Sequence, residues 1–233
     1  MAVFIVQRLA GTIPVLILIS LLVFTLIHAA PGDPALMLLG EETNAAEIAK
    51  AKERWGLDRP LYIQYFRFLE SAAVGEFGKS FKYSEPVARV IKTRLPATIE
   101  LAFFAIVIAT LLAIPIGVWA GARPNSWLDN LGTTFGLFGI SMPSFWLGIM
   151  LILLLAGVLN ILPTSGRSTY GVAGPEITGF YLLDSVLEKN GPAVWDALTH
   201  ILMPALALGV NMLGILMRVT RSSVLEVMNE DYV

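Results

Sequence analysis

Apolar residues in this chain come in long unbroken runs rather than in the short periodic patterns of soluble strands and helices. Reading from charge to charge gives four gaps: Arg8 to Asp33, Glu100 to Arg123, Asp129 to Arg167, and Asp196 to Arg218. Each gap holds about 20 or more uncharged residues, enough for a helix to cross about 30 Å of hydrocarbon. The pattern predicts an all-α polytopic membrane protein with four transmembrane helices and a helical outer loop. The expected spans are Leu9 to Ala30, Leu101 to Ala122, Thr133 to Leu159 and His200 to Met217. A cleaved signal peptide is the competing reading of the first run. Its apolar stretch of about 20 residues exceeds the usual 7–15-residue core of such signals, so it is read as a retained anchor.

Between the spans lie two polar intervals. The first, 31–97, has mixed charge and two amphipathic segments, Glu47 to Trp55 and the aromatic-rich Leu61 to Leu69. Gly56, Pro60, Gly75, Gly78 and Pro86 punctuate it, as expected of short helices joined by turns. The aromatic residues suit packing against a membrane interface or a partner. The chain thus divides into 1–97, a span with a long outer loop, and 98–233, three spans. Trp119 and Trp127 are placed as interfacial anchors. The third gap is too long for one simple span, and Pro143 is expected to kink or offset it; Pro115, Pro143 and Pro204 are each expected to break a span.

Composition narrows the class. Hydrophobic residues make up 56% of the 233 and charged residues 15%, with a mean hydropathy of +0.72, whereas soluble domains carry about 25% charged residues. The net charge of −2 has no basic excess to recruit nucleic acid. With no cysteine, disulfides, thiolate metal sites and thiol nucleophiles are excluded together. His28 and His200, the two histidines, sit near span ends, where hydrogen bonding at the interface is the expected role. Nothing pairs a nucleophile with a base inside a span, so no catalytic residue, cofactor site or metal site is expected. Arg8, Arg123, Arg218 and Arg221 flank one side, against Arg167 and Lys189 in the short loop on the other. That asymmetry favours a cytoplasmic N-terminus.

Several motifs have an ordinary structural reading. Gly78-Lys79-Ser80 ends like a phosphate-binding loop, but the first glycine of that motif would fall at Ala73 and no apolar strand precedes it. Gly117-x-x-x-Gly121 and Gly132-x-x-x-Gly136 allow close helix approach, read here as packing within one bundle. Glu100 is expected at a helix start, kept wet and favoured by the dipole. Asn211, in mid-span, is expected to bond a neighbouring helix. Pro31-Gly32-Asp33-Pro34-Ala35 makes a sharp polar exit from the first span, with Asp33 able to cap the next segment.

The ordered blocks along the chain carry a resemblance. They are Arg8 ahead of the first span; Pro31-Gly32-Asp33-Pro34-Ala35; Gly56-Leu57-Asp58-Arg59-Pro60-Leu61-Tyr62 with Gln64-Tyr65; Gly75-Glu76-Phe77-Gly78-Lys79-Ser80; and Leu95-Pro96-Ala97-Thr98-Ile99-Glu100-Leu101. Next come Gly139-Ile140-Ser141-Met142-Pro143-Ser144-Phe145-Trp146, Thr178-Gly179-Phe180-Tyr181, His200-Ile201-Leu202-Met203-Pro204-Ala205 and Glu230-Asp231-Tyr232-Val233. In this order they resemble the inner-membrane permease subunits of dipeptide/oligopeptide ABC importers. The resemblance implies import of small peptides, with nickel chelates or glutathione as alternative cargo. It also implies a periplasmic solute-binding protein, a second permease subunit and two cytoplasmic ATPase subunits, all working in the lipid bilayer of a bacterial inner membrane.

Pro31, Gly32, Asp33, Pro34, Pro143, Phe145, Trp146 and Pro204 are then structural signature positions, and Ser141, Ser144 and Asn211 are candidates for lining the pathway. The Gly-Lys-Ser block falls in the family's outer loop and has no nucleotide role. The family's ATPase-docking helix and last two spans would come after Asp231-Tyr232-Val233. The expectation is therefore a chain cut before the coupling loop, completed by a second polypeptide, or else an inert scaffold or non-functional fragment.

Overall fold

The computed structural model describes residues 2–29, 44, 47, 50, 52–53, 56–80, 82–172, 174 and 176–230. Pro31-Gly32-Asp33-Pro34, most of the Glu47 to Trp55 segment and the terminal Asp231-Tyr232-Val233 lie outside these residues. Among the described residues the secondary structure is helical, apart from one isolated bridge between Lys79 and Pro86. The helices are α1 (Ala2–Ala29), α2 (Leu61–Ala73), α3 (Val87–Ala122), α4 (Trp127–Ser141), α5 (Ser144–Leu151), α6 (Tyr181–Leu187) and α7 (Gly191–Met228). A π-helical stretch, Ile152–Val158, continues directly from α5. The chain forms two compact units, Met1–Lys92 and Thr93–Val233.

In the first unit, α1 begins about two turns before the expected Leu9. The apolar run Val3-Phe4-Ile5-Val6 already favours helix, and Arg8 can extend toward water from within it. Its apolar side chains are exposed along its length, as suits a helix solvated by lipid. α2 docks on its C-terminal half. The Tyr65 hydroxyl donates to the Ile17 carbonyl at 3.1 Å and lies 2.9 Å from Ser20 Oγ, while Phe24 contacts the rings of His28, Tyr65 and Phe68. His28 donates from Nδ1 to the Phe24 carbonyl at 2.9 Å, and its Nε2 lies 3.1 Å from the Gln64 amide oxygen. So Tyr65 faces α1, whereas Tyr62 and Phe66 face outward.

Gly78-Lys79-Ser80 is one arm of a tight turn. It is closed by Val87 N–H to Gly78 O at 2.9 Å and Ser80 N–H to Glu85 O at 2.8 Å. The Ser80 amide that a phosphate loop would offer is therefore already spent.

In the second unit the core is built largely from small residues, and among the described residues no large side chain is fully enclosed. Ala105, Ala109, Ala113, Gly117 and Gly121 recur every four residues and form the buried stripe of α3. A Cβ on Gly117 would stand 2.9 Å from the Met217 carbonyl oxygen, and one on Gly121 2.9 Å from that of Arg221. A Cβ on Gly209 of α7 would likewise stand 3.1 Å from the Ala105 carbonyl oxygen. Positions rise together along both helices, so α3 and α7 run parallel.

On α4 the matched positions run the other way: Gly132 and Gly136 against Met217, Gly136 against Gly214, Gly139 against Val210. α4 is antiparallel to α7. In lipid there is no hydrophobic drive between helices, and close backbone approach through small residues supplies dispersion instead. Both glycine pairs are thus used inside this unit, while the bulky residues point outward.

Two expectations about the spans are corrected. Pro115 and Pro204 do not break their helices, because α3 and α7 run through them without interruption. Proline removes one backbone hydrogen bond, and in a membrane helix neighbouring groups re-satisfy the freed carbonyl. Nor do the helices stop at the edges of the apolar runs. α3 begins at Val87 and α7 extends from Gly191 to Met228, so polar turns at the ends continue the same helices.

Pro143 does break the third run. Met142 and Pro143 are extended (ψ 130° at both), and α4 meets the α5–π segment at 104°. Among the described residues three helices are long and apolar enough to cross a membrane, and the bent pair makes a fourth element of broken form.

Candidate functional site

Because α3 and α7 are parallel and α4 antiparallel, the second unit has two chemically distinct ends. At one, the turn 123–126 joins α3 to α4. Ser126 Oγ caps α4 by accepting the Asp129 N–H at 3.2 Å, and Asp129 Oδ2 accepts the Asn125 N–H at 2.9 Å. The same carboxylate takes a bidentate pair from Arg221 of α7, Nε to Oδ1 at 2.6 Å and an η-nitrogen to Oδ2 at 2.8 Å. Its side chain is 3% exposed. A buried carboxylate is tolerated only when charge and hydrogen bonds compensate its desolvation, and this geometry supplies both. Trp119 and Trp127 are exposed beside the same turn.

At the other end, Glu100 corrects a prediction. It stands well inside α3, not at a helix start, and its side chain is 10% exposed. Arg167 donates to Glu100 Oε2 at 3.0 Å and to the Gly179 carbonyl at 3.1 Å, while the Leu182 N–H donates to Oε1 at 2.8 Å. The carboxylate thus fastens the 163–182 loop and the start of α6 to α3.

Asp184 organises the same loop from within. It accepts from the Ile177, Thr178 and Gly179 amides and from the Thr178 hydroxyl. Burial pushes the Asp184 carboxyl up, but the Thr178 hydroxyl and the three amides outweigh it and hold it below the usual carboxylate range. A carboxyl depressed in the folded state contributes stability above its ordinary pKa and loses it as pH falls toward the lower folded value. Amide exchange at Thr178 and Gly179, corrected for intrinsic rates, is therefore expected to accelerate on acidification below the ordinary carboxylate range. Asp184→Asn should abolish most of that pH dependence.

Between Glu100 and the α4–α5 break, α7 presents His200. Its Nδ1 donates to the Asp196 carbonyl at 2.8 Å and lies 3.4 Å from Asp196 Oδ1. The Asp196 carboxylate in turn accepts from the Thr169 amide and hydroxyl and from the Tyr181 hydroxyl. His200 and Pro204 stand between two adjoining cavities. One, of about 180 Å³, is bounded by Glu100, Arg167, Tyr181 and Ala197. The other, of about 470 Å³, is bounded by Ser144, Phe145 and Gly148 of α5, the loop 163–166, and Met203 and Ala207 of α7.

The structure brings Ser144, Phe145 and Pro204 together on the larger cavity, with Pro143 setting the break that opens it. Trp146 is on α5 and partly exposed. Ser141 bonds its own helix at the Leu137 carbonyl, 2.8 Å away, and bounds neither cavity. Asn211 is half-buried on α7; the interhelical bond expected of it is not formed among the described residues. Arg167 and Asp196 give no local sequence signal, because their partners lie 67 and 27 positions away, while Asp184 bonds amides only five to seven positions back, a loop closure that hydrophobic patterning does not register. Among the described residues no cluster of histidine, aspartate and glutamate could hold a metal ion.

Comparison with known proteins agrees with this membrane architecture. Residues 1–102 match the model for the N-terminal part of binding-protein-dependent transport system membrane components. Residues 113–233 match that for the inner membrane component of the same systems. A probable D,D-dipeptide transport system permease protein of Escherichia coli is 40% identical over 97% of this chain and 67% of its own length. The dipeptide transport system permease protein of the same species is 38% identical over 99% of this chain and 69% of its own length. A glutathione transport system permease protein of Salmonella paratyphi A is 33% identical over 98% of this chain and 66% of its own length. The chain belongs to the family of inner membrane components of binding-protein-dependent transport systems.

Proposed function

We propose that this chain forms part of the wall of an import pathway for dipeptides and short oligopeptides in a bacterial inner membrane, without chemistry of its own. The observation that carries this reading is the likeness, over 97% and 99% of the chain, to two dipeptide permeases. In such a system a solute-binding protein delivers the cargo and ATPase subunits power its passage. On this reading a second permease subunit closes the pathway and two cytoplasmic ATPases hydrolyse the nucleotide. The N-terminus lies in the cytoplasm, a reading supported by Arg8 and by the gathering of Arg123, Arg218 and Arg221 at one end of the second unit. The Glu100–His200 end then faces outward. Ser144 is the pathway residue with the strongest structural support, since it bounds the larger cavity; Ser141 and Asn211 are proposed to extend the path along α4 and α7.

Vesicles holding this chain with its partner permease, ATPases and binding protein are expected to hydrolyse ATP faster, and to accumulate peptide, when dialanine is supplied. Glutathione is the competing cargo, favoured by the 33% identical relative. Stimulation by glutathione but not by any dipeptide would overturn the peptide assignment. No stimulation by either would overturn the transport reading.

A further inference from the structure

The larger cavity carries hydrogen-bonding groups of both kinds that the chain itself leaves unused. His200 is 8% exposed as a residue. A carbonyl can only accept, so the bond to Asp196 O places a hydrogen on Nδ1, and in the Nδ1–H tautomer Nε2 carries the free lone pair. Nε2 has no hydrogen-bond partner among the described residues. Yet among those residues no fully enclosed side-chain nitrogen or oxygen lacks one. Nε2 therefore opens on the pair of adjoining cavities that His200 bounds rather than on packed protein. The same edge of the ring faces the Gly166 loop, where an added Cβ would stand 4.0 Å from Cδ2.

Donors come from α5. Pro143 cannot cap this helix, and no side chain does so in its place. The first helical bond is Leu147 N–H to Pro143 O at 3.1 Å, so the amides of Ser144, Phe145 and Trp146 have no intrahelical acceptor. A peptide unit asks for this combination, an acceptor for its N–H and a donor for its carbonyl. At about 470 Å³ the void falls within the ~300–1,000 Å³ range of small-molecule sites.

Taking the ligand class from the peptide-import reading above, we propose that this cavity is a peptide-backbone subsite. His200 Nε2 accepts an N–H of the passing peptide, and the first turn of α5 donates to its carbonyl or carboxylate. The N–H comes either from the terminal ammonium or from the peptide amide.

The chain has two histidines, so ring-¹⁵N labelling of the full chain in lipid vesicles gives two readable rings, with His28 as the internal control. Dialanine is expected to shift Nε2 of His200 saturably and to leave His28 unmoved. Gly148→Val fills the void from α5, where a Cβ meets only Ala207 Cβ at 3.8 Å. It should weaken the apparent affinity about tenfold, about 1.4 kcal/mol. If the ammonium is the donor, dialanine carrying three methyl groups on its terminal nitrogen loses the shift; if the amide is, dialanine methylated at its peptide nitrogen loses it.

A silent His200 ring, equal shifts in both rings, or a response to both blocked peptides would overturn the proposal. Peptide uptake by the assembled importer with a silent His200 overturns this inference alone. A responsive His200 in an assembly that imports no peptide overturns the transport reading alone.

Discussion

Replacing Arg221 by alanine is expected to destabilise the second unit by about 3 kcal/mol or more, the scale on which one partner of a buried ion pair is lost. The cost comes less from the missing attraction than from the charge left behind. Asp129 is 2% exposed, and without the guanidinium its carboxylate keeps, among the described residues, the Asn125 amide and the Thr133 hydroxyl as partners. The comparison that isolates this effect is the double variant Asp129→Asn/Arg221→Met, which removes both charges and should recover a large part of the loss. Thermal unfolding in detergent, followed for Asp129→Asn, Arg221→Met and the double, measures the coupling between them. Additive losses would show that the pair is not a unit. The damage should concentrate at the 123–126 turn, because the same carboxylate caps it.

The second large effect is expected at Gly214. A Cβ there would stand 2.5 Å from the Gly136 carbonyl oxygen and 3.0 Å from Ile140 Cγ1. The first of these is backbone and cannot rotate away, so α4 and α7 must separate along their length. Overpacking of a tight core costs about 1–3 kcal/mol and occasionally more. Gly214→Val is expected at or beyond the upper end, because the contact is helix against helix. Gly11 on α1 is the matched control: nothing lies within 4 Å of its added Cβ, and Gly11→Ala should be neutral or slightly stabilising through helix propensity. Equal stability of Gly214→Val and the parent in thermal unfolding would refute the close-approach argument.

These two sites mark where sequence reading succeeds and where it stops. The charge-free runs identify the spans because a charge in hydrocarbon is costly whatever its neighbours are. The Gly132–Gly136 and Gly117–Gly121 pairs are readable as packing for a related reason: a four-residue repeat of small side chains lies on one helix face. The break at Pro143 is also legible, while the identical residue at Pro115 and Pro204 is not a break. Whether a proline interrupts a span depends on what packs around it, and that is a tertiary property which the residue itself does not encode. Glu100 is misplaced by sequence because hydropathy marks where apolar residues begin, not where a helix begins; the polar turns from Val87 onward belong to the same helix. The Arg221–Asp129 pair spans 92 positions, and no local periodicity encodes a contact of that separation. The cavity on His200 is hidden for the same reason, since α5, the 163–166 loop and α7 supply its walls from three distant stretches.

The way α7 meets its neighbours has a mechanical consequence. Where Gly136, Gly139, Gly209 and Gly214 bring main chain against main chain, there are no rotamers to exchange and so no alternative interlocking for the helices to step into. Those seams behave as welds. The extended pair Met142–Pro143, which carries the 104° corner, is free of that restraint, and beyond it in the π-helical stretch Ile152–Val158 each backbone hydrogen bond reaches one residue further than in an α-helix. The unit's departures from regular α-helix therefore gather at and beyond Pro143, apart from the seams where main chain meets main chain.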